Sequence, residues 1–131
     1  MATLQRELVL DAPADRVWAA IADFGALHTR VAPGFVLTCV VDDDVRAVTF
    51  ANGTAAREVR VTSDDTERRF VYCVQSERVR HYNAALVVRA VSEGRTRLTW
   101  TIDLLPDGLA PYIGAQMDAA VAAMQPALDR A

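Results

Sequence analysis

One stretch restricts the folds open to this chain more than any other: the C-terminal run from Leu109 to Asp129, LAPYIGAQMDAAVAAMQPALD. Its large apolar residues fall at Leu109, Ile113, Met117, Val121, Met124 and Leu128, steps of three or four that mark one face of an α-helix. No other segment is long and periodic enough to be a major helix. The remainder reads mainly as strands, and one long helix facing many strands implies a sheet curled around it. What fills the space between them then becomes the question of function.

Taken in order, Thr3 to Leu10 alternates, with Leu4, Leu8 and Leu10 on one side, and predicts a half-buried strand with Arg6 near a rim. Asp11-Ala12-Pro13 then opens a short helix over Pro13 to Asp23, with Val17, Ala20, Ile21 and Phe24 buried and Trp18 packed beside them. A further helical turn is expected over Ala26 to Arg30. From Phe35 to Leu104 the spacing turns to strands: Phe35 to Val41, Arg46 to Ala51, Arg57 to Thr62, Arg69 to Gln75, Tyr82 to Val91 and Thr96 to Leu104. Asn52-Gly53 is a strong hairpin signal, and the last two strands close around Ser92 to Arg95. Short loops force consecutive strands to pair antiparallel, because a parallel partner needs a crossover of a dozen residues or more. The first strand, set apart by helices, is placed beside the last. The expected class is α+β: a curved seven-stranded antiparallel sheet wrapped around a long C-terminal helix, with two short helices after the first strand.

Composition narrows the function classes. At 131 residues, with no repeat, linker or low-complexity tract, the chain reads as a single domain over residues 1–131. The formal charge is −3, and all fourteen basic residues are arginines scattered singly or in pairs, which argues against a nucleic-acid surface. Met1 to Leu10 carries Arg6 and Glu7 and lacks the apolar centre of a signal peptide, so a cytoplasmic location is expected. No apolar run approaches the ~20 residues that span a bilayer, and no membrane insertion is expected. Cys39 and Cys73 lack a CxxC spacing and read as reduced structural thiols. Asp42-Asp43-Asp44 has too few further ligands for a calcium loop and reads as a solvated turn. Neither a metal nor a cofactor is expected.

The opening ELVLDAPADRVWAAIADFGAL, with Ala12-Pro13, Val17-Trp18 and Asp23-Phe24 in order, resembles the polyketide cyclase/dehydrase and lipid transport family. That family lies within the START-like superfamily, also called SRPBCC, whose helix-grip fold is shared with the birch pollen allergen. REVRVTSDDTERRFVYCV, HYNAALVV and TRLTWTIDL resemble its middle strands, so the likeness extends over nearly the whole chain. A closer likeness is to the plant abscisic acid receptors. Glu58 stands before Asp64-Asp65 as a pocket glutamate does there, and ERVRHYN, Glu77 to Asn83, resembles their latch followed by a pocket tyrosine, here Tyr82. Ala51 to Ala56 takes the place of their gate loop without its Ser-Gly-Leu-Pro pattern. The resemblance therefore implies a loop over a pocket entrance and does not imply hormone signalling.

A helix-grip fold commonly holds a cavity between sheet and long helix, so the resemblance makes the apolar stripe a candidate wall: Ile113, Met117, Val121 and Met124 from the helix, with Phe35, Ala84 and Leu86 from the strand region. Small residues at Ala84, Gly114, Ala120 and Ala127 leave room, and methionines adapt to varied apolar ligands. Tyr72, Tyr82 and Trp100 combine apolar area with a hydrogen-bonding tip. Alternation through Val59 and Val61 turns Arg57 inward, whereas family spacing turns Glu58 inward; residue parity favours Arg57. His28 is a lesser candidate for the entrance. Pro126 removes a backbone donor, so the ordered helical wall is expected to end near Gln125, the last polar group on the helix placed to meet a ligand.

Two functions lead at this point, and a solidly packed interaction domain is the third reading. Binding of a hydrophobic small molecule for carriage or sensing needs a cavity, an entrance and one or two polar anchors. Cyclisation or dehydration of a polyketide chain would draw on Arg57 and Tyr82 as donors and Glu58 or His28 as acceptor. No paired carboxylates, Ser/His/Asp set, phosphate loop or zinc pattern supports the second, and binding is the favoured expectation. Outward Val87 and Val91 point to a sheet-mediated homodimer.

Overall fold

Two-residue alternation makes β7 (Arg95–Leu105) the best-defined strand: Leu98, Trp100, Ile102 and Leu104 are buried while the intervening residues face outward. The computed structural model describes all 131 residues, and in it β7 lies between β1 (Ala2–Leu10) and β6 (His81–Ser92). Apolar side chains stand opposite one another across these pairs, Leu8 against Leu98 and Leu86 against Trp100, and this fixes the register because a one-residue slip would turn both sets to water. The sheet continues through β5 (Arg69–Gln75), β4 (Ala55–Asp64), β3 (Val45–Phe50) and β2 (Val36–Asp42). All seven strands are antiparallel, in the order β1-β7-β6-β5-β4-β3-β2, so β1 does close beside the last strand.

The helix α1 (Ala14–Ala22) buries Val17, Trp18, Ala20 and Ile21, and Pro13 precedes its first turn in an extended conformation. Trp18 keeps its indole N–H satisfied by donating to Asp65 Oδ1 at 2.9 Å, which ties α1 to the β4–β5 turn. The expected second turn is a π-helical segment, Leu27–Val31. At the other hairpins, Asp43 and Gly53 take positive φ of 56° and 88°, the left-handed conformation that tight turns require.

A long helix, α2 (Ala110–Asp129), lies on the concave side and buries Gly114, Met117, Ala120, Met124 and Leu128. Met117 and Leu128 are almost wholly removed from water, worth about 1.5–3 kcal/mol each relative to exposure. Pro126 does not end this helix, which runs on to Asp129 past the expected limit near Gln125. Ala122, whose carbonyl loses its donor to the proline ring, is exposed, as is Pro126, so water satisfies the orphan oxygen. Gln125 also departs from expectation: it turns away from the cavity and donates to Val9 O at 3.0 Å and to Asp129, fastening α2 to β1. Gly114 serves the same contact, since its bare Cα admits Arg6, whose guanidinium reaches Gly114 O at 3.3 Å and Asp118 Oδ1 at 2.7 Å.

Candidate functional site

Between α2 and the concave face lies a cavity of about 430 Å³, lined by 26 residues of which 20 are hydrophobic. Its volume falls in the range of small-molecule sites, and its lining is that of a site for an apolar ligand. Ile113, Met117 and Met124 face it from α2; Leu86 and Trp100 face it from β6 and β7; Phe35 and the π-helical residues Leu27 and Val31 cover another side. Exposed Ala55, Ser76, Arg78 and Tyr112 mark the mouth, where the β3–β4 turn, the β5–β6 loop and the start of α2 converge. Asn52 Nδ2 donates to Tyr112 Oη at 3.2 Å across this opening, tying the β3–β4 turn to α2.

The interior holds one ion pair. Arg46 and Glu58 are directly opposed on β3 and β4, and Arg46 Nε and Nη2 both reach Glu58 Oε1 at 2.9 Å. Only 2% of Arg46 and 6% of Glu58 is exposed, a depth at which either charge alone would be strongly disfavoured. The guanidinium also donates to Phe24 O at 3.2 Å and lies 4.8, 5.4 and 5.6 Å from the ring centroids of Phe24, Phe70 and Tyr72. These ring faces stabilise a cation that cannot reach water. Glu58 Oε2 has no protein partner and is not one of the sealed polar atoms, so the free oxygen opens toward the cavity that Glu58 lines.

Tyr72 and Tyr82, with Thr54 and with Gln116 of α2, add further polar groups to the wall. Burial raises the Tyr72 phenol well above its ordinary range, and Tyr82 and the Glu58 carboxylate add to the effect. Burial likewise raises Tyr82, again with Glu58 contributing. Both hydroxyls therefore stay protonated at neutral pH and are able to donate. The Trp100 indole N–H is directed toward the Tyr72 oxygen but makes no hydrogen bond of normal geometry. Cys39, whose Sγ lies 3.6 Å from Phe24 O, has its thiol raised by burial against the opposing pull of Arg46, and neither Cys39 nor Cys73 forms a disulfide.

Several sequence-based placements need correction. Arg57 is exposed on the outer face, and Glu58 faces in. Parity misled because Val59 and Val61 lie on the outward side with Arg57, Val61 being 58% exposed, and because Arg46 supplies the countercharge that makes an inward glutamate tolerable. Ala84 is fully buried between its register partners Tyr72 and Ile102, and Val121 packs against the core; neither lines the cavity. His28 does not line it either; its buried Nδ1 has no partner. Arg46 was missed, although Arg46, Val48 and Phe50 share one strand parity and that signal was available. Glu58, Tyr72 and Tyr82 do come together as named. Val87 is half-buried and Val91 is 49% exposed on the outer side of β6.

No helix is long and apolar enough to cross a membrane. No curated protein matches the sequence. Among solved structures, the protein XoxI of Bacillus cereus superposes with a TM-score of 0.85 at 17% identity, covering 98% of this chain and 96% of that one. A START superfamily protein of Mycobacterium smegmatis gives 0.76 at 12% identity over 98% and 97%. The di-domain aromatase/cyclase BexL of the BE-7585A biosynthetic pathway gives 0.76 at 19% identity, covering 99% of this chain and 46% of that one. At these identities the likeness is one of fold: the seven-stranded sheet and C-terminal helix are the START-like helix grip. The family described as polyketide cyclase/dehydrase and lipid transport matches residues 1–131. The chain therefore belongs to the polyketide cyclase/dehydrase and lipid transport family.

Proposed function

We propose that this protein binds a hydrophobic small molecule, a lipid, polyketide or similar compound, between the sheet and α2, for carriage or sensing. The observation that carries this reading is an apolar cavity of about 430 Å³ with its one interior ion pair neutralised and a free carboxylate oxygen left over. The apolar walls supply affinity by excluding water. Glu58 Oε2 accepts a hydrogen bond from a ligand hydroxyl, and the Tyr82 and Tyr72 hydroxyls donate to a ligand carbonyl or ether. A few such groups orient a ligand whose affinity comes chiefly from apolar contact.

Cyclisation or dehydration of a polyketide held in the same cavity is the alternative, and Glu58 beside Tyr82 is the observation in its favour. A carboxylate able to take a proton and a phenol able to polarise a ketone are the minimum that such proton transfers need. The membership of BexL in the same fold adds to the case for testing it.

Native mass spectrometry of the purified protein, followed by displacement of an apolar fluorescent probe, tests the binding reading. Ala56→Trp, which puts an indole into the cavity beside Glu58, is expected to abolish probe binding while the far-ultraviolet circular dichroism stays unchanged. Probe binding that survives this substitution would place the ligand elsewhere. Tyr82→Phe and Glu58→Gln separate the two functions: a binder loses affinity alone, whereas an enzyme also leaves substrate unconverted.

A further inference from the structure

The charges along the cavity are unevenly placed. Three charged residues line it, and two of them, Arg46 and Glu58, cancel inside. The third is Arg78, at the exposed mouth on the β5–β6 loop, and it forms no ion pair. The lining thus carries a net positive charge at its opening in a protein whose formal charge is −3. Glu77, the acid next to Arg78 in the chain, makes no ion pair with it.

We propose that the ligand is an amphipathic anion, an apolar body with one carboxylate or phosphate group, bound with its tail against α2 and its acid outside, paired with Arg78. An interior already neutral would have to leave a second charge buried and unpaired, so the ionised end stays where Arg78 and water both reach it. Arg78 is then a specificity-determining residue: it distinguishes acids from neutral molecules of the same length. This rests on the reading of the cavity as a binding site.

The test uses decanoate, decyl phosphate and decanol as competitors for an apolar fluorescent probe in the full chain, in Arg78→Gln, and in Arg97→Gln, which removes an equal charge from the outer face of β7. The acids, or one of them, are expected to bind more tightly than decanol by about two- to fivefold, the worth of one exposed charge pair. That preference should shrink as salt is raised. Arg78→Gln should erase it, bringing acids and decanol to equal affinity, and Arg97→Gln should leave it intact. A preference for decanoate or for decyl phosphate tells which anion the site takes. Equal affinity for acids and alcohol, or loss of the preference in both variants alike, would overturn the assignment of Arg78 while leaving the binding cavity standing. Failure of all three compounds to displace the probe would overturn both.

Discussion

Breaking the Arg46–Glu58 pair from either side should cost far more than removing it whole. Glu58→Leu leaves a guanidinium that is 2% exposed with only Phe24 O and the three ring faces for company. Uncompensated buried charges of this kind destabilise by about 3–5 kcal/mol, and the retained contacts place this one toward the lower end. Arg46→Met leaves the carboxylate buried without its countercharge, a loss in the same range. The double variant leaves no charge and fills the volume with apolar groups, so it should return to within about 1–2 kcal/mol of the parent. Urea unfolding of all four proteins, followed by tryptophan fluorescence, closes the cycle, and a coupling energy of at least ~2 kcal/mol is expected. Additive single effects, with the double variant as unstable as their sum, would refute the view that each charge is tolerated only because of the other.

Three further outcomes follow from the same geometry. Tyr72 and Tyr82 hold their protons more tightly folded than unfolded, so their contribution is intact below about pH 10 and declines as pH rises above it, by up to ~1.4 kcal/mol per unit for each. Urea midpoints measured between pH 9 and 11 should fall, and the fall should flatten in a Tyr72→Phe/Tyr82→Phe double variant; an equal slope there would refute the assignment. Pro126→Ala should raise stability by about 1 kcal/mol, the restored helical hydrogen bond outweighing the extra freedom of the unfolded chain, and a lowered urea midpoint would contradict the solvent-satisfied carbonyl at Ala122. Tyr112→Phe removes the only acceptor for Asn52 on α2, so amide exchange in residues 51–54 should quicken while β7 is unchanged; unaltered exchange would show that this bond does not hold the turn.

Much of the architecture was open to local reasoning because it depends on local periods. The alternation Leu98, Trp100, Ile102, Leu104 and the spacing of Met117, Met124 and Leu128 each mark a buried face without help from the rest of the chain. Helix-wall positions such as Ile113 and Met117 followed from that spacing and from the family likeness. The interior ion pair was not visible in this way. Arg46 and Glu58 meet because β3 and β4 are held in one register by a hairpin, and neither residue's own neighbours reveal the other. Gln125 and Gly114 showed the same limit: on a helical wheel both adjoin the apolar stripe, and only the packing of β1 turned them to Val9 and Arg6.

The sequence by itself determined the strand periods, the single long helix and hence the helix grip, since these arise from burying apolar faces whose spacing is written along the chain. The tertiary structure decided which charges face the cavity, which carboxylate oxygen is left free, and that the unpaired cation stands at the mouth. Those depend on register and on contacts between residues far apart in the chain, and burial of a charge is settled only by the partner that folding brings to it.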